Sequence, residues 1–219
     1  MENDNQYRIG GFSMLPRAVK NLLIINFVIW LLDLSLQGIG IDMAKWFGLH
    51  YITADNFYPF QYVTYMFLHQ GFSHLFFNMF ALWMFGYAIE NTWGSKRFLL
   101  YYFVTGIGAG IVQTLVVGIN QEIHPMLAHQ INNIITIGAS GAVFGILLAF
   151  GMMFPNMHIF LYFLIPIKAK WFVIIYGVIE LAAGIGGSGD GIAHFAHLGG
   201  MLFGIGLILY WRKYGSRIR

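Results

Sequence analysis

The chain has 219 residues, of which 58% are hydrophobic and only 10% are charged, with no cysteine and a formal net charge of +3. Soluble domains are about 45–50% apolar and about 25% charged, so this composition excludes a soluble globular domain and describes a polytopic membrane protein. Disulfide and thiol chemistry are excluded as well, and the basic balance does not indicate nucleic acid, because the basic residues flank apolar runs as membrane topology requires.

In chain order, the polar opening MENDNQYRIGGF carries no signal-peptide pattern. Residues 1–17 are expected to form a short tail, 18–212 the membrane domain and 213–219 a basic tail. Six apolar segments stand out, at 18–38, 72–93, 98–119, 138–154, 171–186 and 192–211. Each lies near the ~20 residues of a spanning helix, and the short fourth and fifth suit shielded, central positions. The expected fold is an all-α membrane protein of six helices.

The connection 39–71 is long, aromatic and poorly charged, yet too interrupted by polar groups to span. It reads as a loop half-sunk in the outer leaflet, and long loops in compact proteins are often functional. Arg8, Arg17, Lys20, Lys96, Arg97, Lys168, Lys170, Arg212, Lys213, Arg217 and Arg219 fall on one side of the bilayer, against Lys45 alone on the other. Both termini are therefore expected in the cytoplasm, with Trp93, Trp171 and Trp211 at the inner boundary.

Polar groups in membrane helices are costly, so each needs a reason. Three clusters fall on the outer side. His69, His74 and Asn78 enter the second helix, where His74 and Asn78 are four apart and share a face; they either stitch helices together or donate hydrogen bonds into a site. Ser140 opens the fourth helix in GASGAVFG at 138–145. Taken alone, Gly141 and Gly145 around it are a packing pattern for close helix contact. His197, Gly200 and Gly204 form one stripe early in the sixth helix, and its glycines would let helices four and six touch.

That contact would bring the Ser140 hydroxyl and the His197 imidazole together at one depth. A serine needs a base to take its proton, a neutral imidazole is the usual one, and acyl transfer needs oxyanion donors. His74, Asn78 and the Ser140 N–H are available at that depth. Asp190 lies seven residues before His197, about 10 Å along a helix axis. It reads better as a helix cap, so a Ser–His dyad is expected.

The stretches FLHQGFSHLFFNMFALWMFG (67–86), GASGAVFG (138–145) and AHFAHLGGMLFG (193–204), with Glu90 and the 91–97 turn, resemble the rhomboid family of intramembrane serine proteases. The resemblance spans about 18–212. It implies a six-helix rhomboid-type bundle with a membrane-embedded first loop. Ser140 would be the nucleophile and His197 the base, with His74 and Asn78 joining the Ser140 amide in the oxyanion hole. Gly138 and Gly141 would belong to the nucleophile motif, His69 would support the first loop, and Gly200 and Gly204 would pack helices. The implied substrates are single-pass transmembrane proteins, cut near a helix end at a small residue without metal or cofactor. Phe60-Gln61 stand where many members carry Trp-Arg, so that arginine is absent. Phe144, a tyrosine in some members, can still pack on the imidazole.

His194 reads either as bonded to a neighbouring element or as tuning the base. Glu180 is buried, with a polar partner that the sequence does not name. Asp33 lies near the outer end of the first helix, and His124 and His129 lie in a solvated loop. Gly184, Gly186, Gly187 and Gly189 suggest that the fifth helix and the loop before the sixth are mobile and gate substrate entry from the lipid. Three other function classes compete. A non-enzymatic client binder is opposed by the intact Ser140 and His197. A haem or metal protein using His69, His74, His194 and His197 is opposed by the lack of an Asp, Glu or Cys at suitable spacing. A transporter is opposed by the absence of an inverted repeat. The lack of an added domain or targeting peptide favours a bacterial plasma membrane.

Overall fold

The computed structural model describes residues 15–161, 164–186 and 193–214. Most of the expected N-terminal tail, Gly187, Gly189, Asp190, Arg217 and Arg219 lie outside the described residues. The chain runs α1 (Arg17–Gln37), α2 (Ala44–Phe47), α3 (Gln61–Thr64), α4 (Gly71–Trp93), α5 (Ser95–Ile123), α6 (Ala128–Asn132) and α7 (Ser140–Met153), then strands β1 (His158–Leu161) and β2 (Ile165–Lys168), then α8 (Ala169–Gly186) and α9 (His194–Tyr214). Five of these helices, α1, α4, α5, α8 and α9, are long and apolar enough to cross a membrane. With α7 as a shorter sixth, the fold is an all-α, multi-pass membrane bundle.

The short helix is the central one. α7 packs against α4, α5, α8 and α9, and from Gly141 to Gly151 every residue except Phe144 is buried. A helix shielded on all sides needs no polar face. Its 14 residues extend about 21 Å at 1.5 Å per residue, against a hydrocarbon core of about 30 Å. A helix that short starts or ends beneath the surface.

One end of the bundle is tied by Glu90, buried near the end of α4. Its carboxylate accepts the N–H groups of Ala18 at 2.8 Å and Val19 at 2.7 Å and the Ser95 hydroxyl at 2.6 Å. Free N–H groups at a helix start need such an acceptor, so this residue fastens α1 and α5 to α4. The starts of α4, α7 and α9 lie at the opposite end.

The first loop is not loose. Gln61 is fully buried. Its Oε1 accepts the N–H of His50 at 3.3 Å and of Tyr58 at 3.2 Å. Its Nε2 donates to the carbonyls of Trp46 at 3.1 Å and Asn56 at 2.8 Å. The loop thus has a hub at the position where the family resemblance left an arginine missing. Leu49 and Thr136 exchange both backbone hydrogen bonds at 2.9 Å, clipping the loop to the segment before α7. Trp46 and Phe60 stay on the protein surface at 62% and 48% exposure.

The connection between α7 and α8 holds a two-stranded sheet. β1 and β2 pair antiparallel, His158 opposite Lys168 and Leu161 opposite Ile165. Ile159, Ile165 and Ile167 favour extended backbone, and Pro166 is tolerated because a two-stranded ribbon has only edges.

Candidate active site

Ser140 is the first residue of α7. Gly138, two residues earlier, has φ +126° and donates its N–H to the Tyr65 carbonyl at 2.9 Å. That φ is one L side chains rarely adopt, and a Cβ there would lie 2.8 Å from His74 Nε2. Glycine thus lets the chain turn into α7 while His74 closes over the turn.

His197 lies in the first turn of α9, and its Nε2 is 2.8 Å from Ser140 Oγ. A glycine contact sets this separation. A Cβ on Gly200 would overlap the carbonyl of Gly141, and one on Gly141 would overlap Ala109 of α5. The expectation that both glycine stripes join α7 to α9 holds for this pair, holds in part for Gly204 and is corrected for Gly145. A Cβ on Gly145 would strike Thr105 of α5, and one on Gly204 would strike the Tyr101 hydroxyl of α5 and press on Leu148 of α7 at 3.2 Å. Tyr101 also donates its hydroxyl to the Gly145 carbonyl at 2.8 Å. α5 packs against both helices below the first turn, where α7 and α9 stay in contact through Leu148 and Gly204. Phe144 stacks on the imidazole, centroids 4.2 Å apart and planes 5° apart.

The expectation that His197 lacks a carboxylate partner is corrected by Glu180 of α8. Its Oε2 lies 2.8 Å from His197 Nδ1 and 2.7 Å from His194 Nδ1. All three residues are buried. A buried carboxylate needs donors, and the two imidazoles supply them. The objection that no acidic residue accompanies the histidines is corrected by the same geometry, since one ligand atom from each of Glu180, His194 and His197 lies within 4.8 Å of the others.

His74 is half-buried beside the same turn. Its Nδ1 accepts the Gln70 N–H at 3.2 Å, which puts the proton of a neutral ring on Nε2, the atom aimed at Gly138. Asn78 is buried one turn deeper and donates to the His74 carbonyl at 2.9 Å. Its amide thus bonds back to its own helix. His69 is buried edge-on to His74, ring centroids 5.1 Å apart, and among the described residues neither of its nitrogens meets a hydrogen-bond partner. Asp33 is buried too, accepting from Gln37 at 2.8 Å and from the Met43 N–H at 3.3 Å. His124 and His129 are exposed, outside the site.

The sequence reading missed the role of Glu180, which lies 17 residues before His197 on another helix. Its only signal was a carboxylate inside an apolar run. A hydroxyl, an imidazole with its free nitrogen on that hydroxyl, a carboxylate behind the imidazole and an N–H donor alongside can perform base-assisted acyl transfer.

Residues 56–214 match the model of the Rhomboid domain family. The chain is 30% identical over 205 residues to the Rhomboid-like protein 11, chloroplastic, of Arabidopsis thaliana, covering 87% of this chain and 67% of that protein. It is 33% identical over 140 residues to the Rhomboid protein 1, mitochondrial, of Saccharomyces cerevisiae, covering 64% and 38%. To the Rhomboid protease GluP of Bacillus subtilis it is 35% identical over 137 residues, covering 63% and 23%. The chain thus spans between about a quarter and two thirds of the length of these relatives.

Proposed function

The chain belongs to the rhomboid family, and from that premise we propose that it is an intramembrane serine endopeptidase that cleaves transmembrane segments of single-pass membrane proteins near the outer face of the bilayer. The observation that carries this reading is the 2.8 Å approach of His197 Nε2 to Ser140 Oγ.

The chemistry follows from the residues. Ser140 Oγ attacks the scissile carbonyl carbon while its proton passes to His197 Nε2. The carbonyl π electrons move onto oxygen, and the Ser140 amide N–H and the His74 Nε2–H receive the resulting oxyanion. Asn78 joins them once its amide turns from the His74 carbonyl. The C–N bond then breaks, the leaving amine takes the proton from His197, and water repeats the sequence to free the acyl group. No cofactor is required. α7 is shorter than the hydrocarbon core, which supports a nucleophile beneath the surface, at a helix end of the substrate.

The orientation proposed, termini in the cytoplasm and site toward the outer face, rests on the eleven basic residues that the topology gathers on one side. The membrane proposed is a bacterial plasma membrane, while the relatives include chloroplastic and mitochondrial proteins beside those of Bacillus subtilis.

The test is labelling of the detergent-purified protein with a fluorescent serine-reactive phosphonate, beside Ser140→Ala and His197→Ala. Labelling of the wild type, lost in both variants, supports the reading. A folded wild-type protein that does not label, yet retains a membrane helix as partner, overturns it in favour of client binding without catalysis.

A further inference from the structure

We infer that Glu180 is the positioning residue of the site, so that the working unit is Ser140, His197 and Glu180 in place of a two-residue dyad. The inference rests on the serine-protease reading above.

An ionised carboxylate only accepts hydrogen bonds, so a contact of 2.8 Å from Oε2 to His197 Nδ1 places a proton on that nitrogen. The neutral ring then carries its lone pair on Nε2, the atom 2.8 Å from Ser140 Oγ. This is the tautomer a general base needs, and without the carboxylate both tautomers are open. When His197 takes the serine proton, the imidazolium forms directly against the carboxylate, where it is stabilised. Glu180 touches neither substrate nor reacting atoms, so its action passes through His197.

His194 has a part in this. It donates to the same Oε2 at 2.7 Å from one turn earlier on α9. Two N–H donors on one oxygen offset the cost of burying the charge and restrict the carboxylate to one orientation. The seat of Glu180 also matters. The other buried residues of α8, Ala169, Phe172 and Val173, lie toward its opposite end. Glu180 is thus the buried tie between the outer half of α8 and α9, and the orientation of the base depends on α8 being docked.

The experiment compares wild type, Glu180→Gln and Glu180→Asp in detergent. Readouts are the rate of phosphonate labelling, kcat and KM on a reconstituted single-span substrate, and the ring nitrogen resonances of His197 in 15N-histidine-labelled protein. The expected result is a fall of about 10²–10⁴-fold in labelling rate and kcat for Glu180→Gln, by the scale known for orienting carboxylates. KM should stay within threefold, and Glu180→Asp should recover part of the loss. Wild-type His197 should carry its proton on Nδ1. A Glu180→Gln protein that labels within threefold of wild type overturns the inference. So does a wild-type His197 protonated on Nε2, which needs no variant to fold. Loss of wild-type labelling on adding a chelator would overturn it in favour of a metal ion held by Glu180, His194 and His197. If Ser140→Ala labels as well as wild type, the protease reading itself fails, whatever Glu180 does.

Discussion

Gly200 of α9 and Gly141 of α7 meet backbone to backbone, and that approach puts the imidazole of His197 on the hydroxyl of Ser140. A side chain on Gly200 would fall on the carbonyl of Gly141, and a backbone atom cannot turn aside as a flexible side chain can.

Gly200→Ala should therefore force α9 away from α7. Overpacking of this kind costs about 1–3 kcal/mol, and a misplacement of about 1 Å at a catalytic pair costs on the order of 10²-fold in rate. The expected outcome is a lower thermal midpoint and a loss of phosphonate labelling of at least tenfold. Gly206→Ala, six residues further along α9, is the control, because a Cβ there meets nothing within 4 Å. It should unfold and label like wild type. Equal behaviour of the two variants would sink the account of the glycine contact.

Gln61 should prove to be the fastening of the first loop. Gln61→Ala removes four hydrogen bonds to the loop backbone at once, the one to His50 fully buried and the others partly so. Each buried group left without a partner costs about 1–3 kcal/mol, though water entering the loop will recover part of this. Limited proteolysis within 39–60 should accelerate, while the helices keep their circular dichroism. Unchanged proteolysis would show that the Leu49–Thr136 clip holds the loop by itself.

The third expectation concerns pH. Burial, with the His74 imidazole beside it, pushes His69 down from 6.5 to about 3. His69 precedes α4 and lies outside the spanning helices. Above pH 6.5 the ring is neutral folded or unfolded, and stability is fully present. As pH falls below 6.5 the unfolded chain takes up a proton that the folded one refuses, so stability is lost by up to about 1.4 kcal/mol per pH unit until about pH 3. Thermal midpoints between pH 7 and pH 4 should fall for wild type and fall less steeply for His69→Phe. Parallel slopes would assign the acid sensitivity to another group.

Much of this protein could be read along the chain. Apolar runs of spanning length are local properties, so the long helices were legible to within a few residues, save α5, whose end at Ile123 outran the apolar segment by four. The polar clusters around His74, Ser140 and His197 were legible because a polar group inside an apolar run stands out without any knowledge of its neighbours. The hairpin at 158–168 was obscured because four-residue strands beside basic residues look like any loop.

What the sequence by itself determined was that the chain is a multi-pass membrane protein of the rhomboid type, with a serine and a histidine at the starts of two apolar helices. Only the tertiary structure decided which groups surround them. Gln61 is the hub of the loop where many family members carry an arginine, Gly145 faces α5 while Gly204 faces both α5 and α7, and Glu180 stands behind His197. The physical reason is that hydropathy reports whether a segment is buried, whereas a contact between two helices depends on how each is rotated about its own axis. That rotation is set by packing against every neighbour at once, and here α5 and α8 decided it as much as the two helices that carry Ser140 and His197.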